Sequence, residues 1–401
     1  MSEELTQALE ALFITVLVAA LAPIIVGLLH RLRIPQVVVL IIGGVIVGPQ
    51  VLGLANPDSI ELLANVGLGF LFLMAGYELE LSLFRQQAGK LAIIGWLVSA
   101  ALAGLIVGLL ASMALVSAYI PVALGLTTTA LGTLLPILRD HNMLRGSFGS
   151  YVMAGGAVGE FFPIVAIAIF LGSNGRFFGL LSLLVVAVIA LILSLIPKLV
   201  RTGRLHQILT EGQDATAQTT LRWTVAMLLL LLLIANDFGL DVVLGAFLAG
   251  VVLRRWAPGD VESLEGKLDA VGYGFFIPVF FVTSGMNLDL QSIVQAPARL
   301  ALFFVLLLVV RGLPSLLIYR SALPRPQRFE LVFLMATALP LLVALSEIGL
   351  ESGHMLPENA AALVGAGVLS VLVFPAIAVA IDRRQAASRG AEAVTAAPRQ
   401  G

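Results

Sequence analysis

The chain has 401 residues, of which 59% are hydrophobic and 12% charged, with a formal net charge of −1. Soluble domains average about 25% charged residues, so this balance excludes an ordinary soluble protein and indicates the membrane class; the mean hydropathy of +1.04 agrees. Near-neutrality gives no reason to expect a nucleic-acid partner, and the absence of cysteine excludes disulfides, thiolate metal sites and thiol catalysis.

The first seven residues carry Glu3 and Glu4 and no basic residue, unlike the basic start of a signal peptide. The first apolar run therefore reads as a retained span. A helix needs about 20 apolar residues to cross the hydrocarbon core. Thirteen runs qualify: 8–29, 34–54, 60–78, 90–113, 115–137, 147–171, 176–198, 219–236, 238–255, 266–285, 298–319, 327–348 and 358–381. The weakest boundary is Asn236-Asp237-Phe238-Gly239, where a single long helix would leave twelve. Charge decides for thirteen. With the N-terminus outside, every Lys and Arg falls inside except Arg176, Arg299 and the in-span Arg311, as the positive-inside rule expects. The expectation is an all-α polytopic protein of the cell (inner) membrane, N-terminus outside and C-terminus cytoplasmic. Residues 1–381 form the membrane domain and 382–401 a short disordered tail.

Leu71–Leu81 (LFLMAGYELEL) aligns without a gap on Phe280–Leu290 (FFVTSGMNLDL), with Gly76 on Gly285 and Glu80 on Asp289, an offset of 209 residues. The same offset carries the fourth, fifth and sixth runs onto the eleventh, twelfth and thirteenth. An odd separation of seven runs makes the repeat inverted, approximately 60–171 and 266–381. Inverted repeats are a hallmark of secondary transporters, with the site near the midplane where broken helices meet. The candidate breaks are Thr127-Thr128-Thr129 in the fifth run and Thr337 with Pro340 in the twelfth. Proline has no N–H, and its ring disrupts helix bonding. The threonines offer oxygens to a cation, although membrane threonines also bond their own backbone.

Glu160 and Arg311 sit deep inside apolar runs. Such charges are expensive and mark ion or substrate paths. Burial raises a carboxyl pKa and a nearby cation lowers it, so proton and cation compete for Glu160. Arg311 stays protonated and reads as charge-compensating for Glu160 or as an anchor for a broken-helix carbonyl end. Gly43, Gly44 and Gly48 read as close-packing residues. Asn236, Asp237 and Asp241 read as solvated at an outer loop. The histidines, His30, His141, His206 and His354, are scattered through loops and form no metal cluster. No cofactor is expected, and no catalytic constellation falls within the spans, so an enzyme is not expected.

Gly43–Pro49, Leu71–Leu81, Thr127–Ala130, Phe275–Pro278 and Gly285–Leu290 together resemble the monovalent cation:proton antiporter-2 family, the Kef-type and NapA-like transporters. The resemblance implies a homodimer and two crossing broken helices beside an acidic pair on the following span. That pair, Asp-Asp or Gln-Asp in the family, corresponds here to Gly159-Glu160. Glu160 takes the acid's place, and Gly159 leaves room for its extra methylene or for a larger ion. Arg311 stands where sodium-type members carry a basic residue. The cytosolic nucleotide-binding domain of Kef-type members is expected to be absent. The leading expectation is exchange of Na⁺ or K⁺ for H⁺ by alternating access, electroneutral through one carboxylate. The alternative is a sodium-coupled organic solute or anion symporter, with Gly159 and Arg311 admitting an anion; a gated cation channel is a third reading.

Overall fold

A computed structural model of the chain describes residues 3–29, 34–79, 81–113, 116, 119–144, 146–171, 218–237, 242–256 and 261–396, with three short pieces between 184 and 192. The described residues form helices and short links, with no strand among them. The helices are α1 (Glu3–Leu28), α2 (Gln36–Val47), α3 (Glu61–Glu78), α4 (Gln87–Ser112), α5 (Tyr119–Gly125), α6 (Leu131–Asp140), α7 (Gly146–Phe170), α8 (Thr219–Asp237) and α9 (Val242–Trp256). They continue with α10 (Val261–Val271), α11 (Ile277–Met286), α12 (Leu290–Gln295), α13 (Pro297–Leu306), α14 (Pro314–Ile318), α15 (Arg325–Ala336), α16 (Pro340–Glu351) and α17 (Pro357–Ala396). Eight described helical segments are long and apolar enough to cross a membrane. The seventh predicted run, 176–198, lies mostly outside the described residues, as do His30, His206 and Asp241. Separate helices, α8 and α9, flank the boundary at Asn236, and α17 continues past the predicted edge at 381.

The 209-residue offset runs through the elements. It carries α2 onto α9, α3 onto the end of α10 with α11, α4 onto α13 and α14, α5 and α6 onto α15 and α16, and α7 onto α17.

The chain divides into two compact units. The first comprises Met1–Leu79 and Ile164–Leu290. Within it α2 packs on α11 and α9 packs on α3, a pair of crossings that the offset exchanges. Each crossing is closed by reciprocal glycines. A Cβ at Gly44 would strike the carbonyl of Val282, and one at Gly285 that of Ile41. A Cβ at Gly76 would strike the carbonyl of Phe247, and one at Gly250 that of Leu73. In lipid, helix association rests on such close packing, because the tails are as apolar as the side chains. Gly43 meets Val18 of α1 and Gly48 meets Met286 of α11, so the expected packing role of these glycines holds.

The second unit comprises Glu80–Pro163 and Gln291–Gly401. It contains both discontinuous pairs, α5–α6 and α15–α16. α4 packs on α5 and α14, and α17 packs on α13, α15 and α16. An apolar core of Ala103, Val122, Leu126, Leu307, Ala336, Leu342, Leu363 and Phe374 surrounds the two breaks. Between α13 and α14, Leu307–Gly312 forms a wide π-helical turn, closed by Leu313 N–H to Leu308 O at 2.9 Å. Pro314 follows it. Its ring excludes regular helical bonding to the carbonyl of residue 310, and π-bulges of this kind recur at functional sites.

Candidate ion site at the helix breaks

The break between α5 and α6 can be followed bond by bond. Each N–H of a continuing helix would reach back four residues. Here the N–H groups of Thr127 and Thr128 reach back only three residues, to the carbonyls of Leu124 and Gly125, and their hydroxyls donate to the same two carbonyls at 2.7 and 2.8 Å. The N–H groups that follow turn elsewhere. Thr129 N–H donates to Gly159 O (3.1 Å) and Ala130 N–H to Thr337 O (2.8 Å). Leu131 N–H and Gly132 N–H donate to Oε1 of Glu160 at 2.8 and 3.3 Å. Four donors in a row thus find acceptors on other elements, as buried backbone requires.

Glu160 on α7 therefore holds the N-terminus of α6. Unpaired N–H groups at a helix start carry partial positive charge and suit an anionic side chain. The carboxylate is only half-buried. Gly159 O is available to Thr129 because Pro163, four residues later in α7, has no N–H to offer it.

The break between α15 and α16 is built differently. Pro340 opens α16, and the Thr337 hydroxyl donates to Phe333 O at 3.0 Å. Ala338 N–H donates to Ser370 Oγ of α17 at 3.0 Å, and Ser370 Oγ donates back toward Ala338 O at 2.8 Å. Ser370 also lies within 2.7 Å of Gly367 O. The two links meet at the Ala130–Thr337 bond and at a second, from Thr129 Oγ1 to Met335 O (2.8 Å).

Arg311, 4% exposed, lies in the π-helical turn. Its Nε donates to Thr129 Oγ1 (2.9 Å) and its Nη2 to Gly155 O of α7 (2.8 Å). The volume beside Gly159 is taken up by Thr129 and Arg311, so it offers no added room for the longer acid or a larger ion.

Glu160, Thr129, Thr337, Arg311, Gly159 and Pro340 thus come together around the two breaks. Thr127 and Thr128 are buried there too, each with its hydroxyl hydrogen committed to its own helix. A hydroxyl that donates keeps lone pairs for a cation. Together the hydroxyls, the link carbonyls and one carboxylate form an oxygen-rich donor set of the type hard monovalent cations take. Sequence reasoning missed Ser370 and Pro163. The signal for Pro163 was present, since a proline four residues after Gly159 frees that carbonyl. Nothing in the sequence marked Ser370, a serine within an apolar run. Glu330, 2% exposed midway along α15 and bonded to Gln385 Nε2, is another buried acid that sequence reasoning missed.

Comparison with known proteins follows the same lines. The family described as "Sodium/hydrogen exchanger, transmembrane" matches residues 16–381. YjbQ of Bacillus subtilis is 27% identical over 91% of this chain. The glutathione-regulated potassium-efflux system protein KefC of Salmonella schwarzengrund is 26% identical over 92% of this chain. The chain spans 62% of YjbQ and 60% of KefC. The structure of the sodium proton antiporter MjNhaP1 from Methanocaldococcus jannaschii at pH 8 superposes with a TM-score of 0.64 at 18% identity, covering 96% of this chain and 97% of that one. The fold is thus a shared one, helical throughout the described residues.

Proposed function

From the premise that this chain belongs to the sodium/hydrogen exchanger family, we propose that it is a secondary antiporter exchanging Na⁺ or K⁺ for H⁺ by alternating access. One observation carries the reading: a half-buried carboxylate, Glu160, is held on the opened N-terminus of α6 where two broken helices meet. Proton and cation compete for that one group, and competition for a common site is enough to couple their movements. Thr127, Thr128, Thr129 and Thr337 supply neutral oxygens to the cation, and Pro340 keeps the second break open. With one titrating carboxylate and a permanently charged Arg311, one proton exchanges for one monovalent ion, so the cycle is electroneutral. A membrane-potential effect on the rate in sealed vesicles would exclude that stoichiometry.

The family and its relatives support transport rather than catalysis. Sodium and potassium both stay open as substrates, because named relatives and structural neighbours include proteins of each kind. A symporter that recruits an organic anion through Arg311 is not favoured, since the guanidinium already serves Thr129 and Gly155. The proposed setting is the inner membrane, N-terminus outside, as a homodimer. Periplasmic protease access to a C-terminal tag would reverse the orientation, and cross-linking that captures only monomers would remove the dimer.

The test is reconstitution into proteoliposomes with a trapped pH dye and an imposed proton gradient, with Na⁺, K⁺ and Li⁺ added in turn. The expected result is cation-dependent dissipation that disappears in Glu160→Gln. Exchange that survives in folded Glu160→Gln sinks the assignment.

A further inference from the structure

Position 159 has no room for a side chain. An ideal Cβ built on Gly159 would lie 2.5 Å from Thr129 Oγ1, 2.6 Å from Thr129 Cβ and 2.7 Å from Arg311 Nη2. The guanidinium is there because two acceptors hold it, Thr129 Oγ1 at 2.9 Å and Gly155 O at 2.8 Å. Gly155 and Gly159 are four residues apart and share one face of α7. A side chain at 159 would close the approach that Arg311 uses. Thr129 is in turn tied to Gly159 O through its N–H and to Met335 O through its hydroxyl. Arg311 thus acts on the link between α5 and α6 from a third element, the π-helical turn.

We infer that the missing side chain of Gly159 is the berth of the Arg311 guanidinium, and that Arg311 is a positioning residue of the exchange site. Through Thr129 it fixes the link whose Leu131 and Gly132 N–H groups hold Glu160. This rests on Glu160 being the exchanging carboxylate. It differs from a charge-compensating role, in which any cation at 311 would serve. A berth demands a planar fork of the right size, and it demands glycine at 159. Lysine is a point charge on a flexible stem and cannot reproduce the paired donation.

The experiment is chemical rescue. Arg311→Ala, Arg311→Lys and the double variant Gly159→Ala/Arg311→Ala are reconstituted, and proton–cation exchange is measured with and without guanidinium chloride far below denaturing concentration. The wild type serves as control for inhibition by the ion. Arg311→Ala is expected to lose about a hundredfold in rate, the scale set by a 1 Å misplacement. Added guanidinium should restore a measurable part of that loss, smaller than the tethered side chain supplies. Arg311→Lys should recover little, and a Cβ at 159 should cancel the rescue. In parallel, guanidinium should raise the melting temperature of Arg311→Ala and not of the double variant, since a ligand stabilises the state that binds it. If Arg311→Ala folds only with guanidinium present, its dependence on glycine at 159 gives the same readout. Near-wild-type exchange in Arg311→Lys, no rescue of folded Arg311→Ala, or equal rescue with alanine at 159 each overturns the berth. Exchange persisting in Glu160→Gln would remove Glu160 as the exchanging carboxylate but leave the thermal shift intact, so the two failures are separable.

Discussion

The two broken helices solve one problem with different chemistry. In the first, the start of α6 is held by a carboxylate, Glu160, on the span that follows. In the second, the link before α16 is held by a neutral hydroxyl, Ser370, again on the following span. The 209-residue offset places Glu160 on Leu369, next to Ser370, so the two grips sit at neighbouring positions of the repeat. The difference is that only the first grip can change its charge. A neutral hydroxyl can fix a link permanently, whereas a carboxylate can be protonated, or shared with a cation. In the proposed mechanism, coupling falls to the first half of the site and stiffness to the second.

The largest effect should therefore come from Glu160→Gln. The amide keeps an oxygen for the Leu131 and Gly132 N–H groups and loses the titration. Exchange should fall to the background of empty liposomes, while the melting temperature changes little. A large loss of stability without loss of exchange would reverse the assignment of the two halves.

Next in size is Thr129→Val. It removes a hydroxyl that both donates to Met335 O and accepts from Arg311 Nε. Leaving buried polar partners unsatisfied costs about 1–3 kcal/mol, more where one is charged. Both stability and rate should drop, and Thr129→Ser should recover most of each. Equal losses in the serine variant would show that the methyl packing, not the hydroxyl, is what matters.

Ser370→Ala tests the neutral grip. It orphans the Ala338 N–H, at about 1–3 kcal/mol of stability by the same scale. The expected rate loss is modest, with unchanged cation selectivity and unchanged pH dependence. A shifted pH profile would mean that the second half also takes part in coupling.

How much of this was legible in the sequence follows from what kind of signal each feature leaves. Glu160 and Arg311 announce themselves, because a charge inside an apolar run is costly and must be explained. The repeat was legible in the Gly76 and Gly285 motifs, which close equivalent helix crossings. The breaks showed through a threonine run and a proline. The partners did not show. Arg311 ends on a backbone carbonyl 156 residues away, and the Thr129 hydroxyl on one 206 residues away. Every residue has a carbonyl, so composition cannot single out Gly155 or Met335. Gly159 illustrates the limit: its missing side chain reads equally as spare volume for an ion or as a berth for another residue. Only the placement of the Arg311 side chain decides between them.

The smallest effect sharpens the comparison from the other side. Thr127 and Thr128 each give their hydroxyl hydrogen to a carbonyl three residues back. Those bonds help to end α5, but each carbonyl also accepts the same residue's backbone N–H, so a valine variant leaves it with one donor instead of two. A neutral hydrogen bond is worth about 0.5–1.5 kcal/mol net, so each single variant should remain folded and active. Their cation affinities are then the informative quantity. If one hydroxyl oxygen ligates the ion, its valine variant should weaken half-saturation for the cation about tenfold, the equivalent of about 1.4 kcal/mol, with the proton dependence unchanged. If both variants keep wild-type affinity, the cation relies on Glu160 and link carbonyls, and the threonine run is a device for opening the helix.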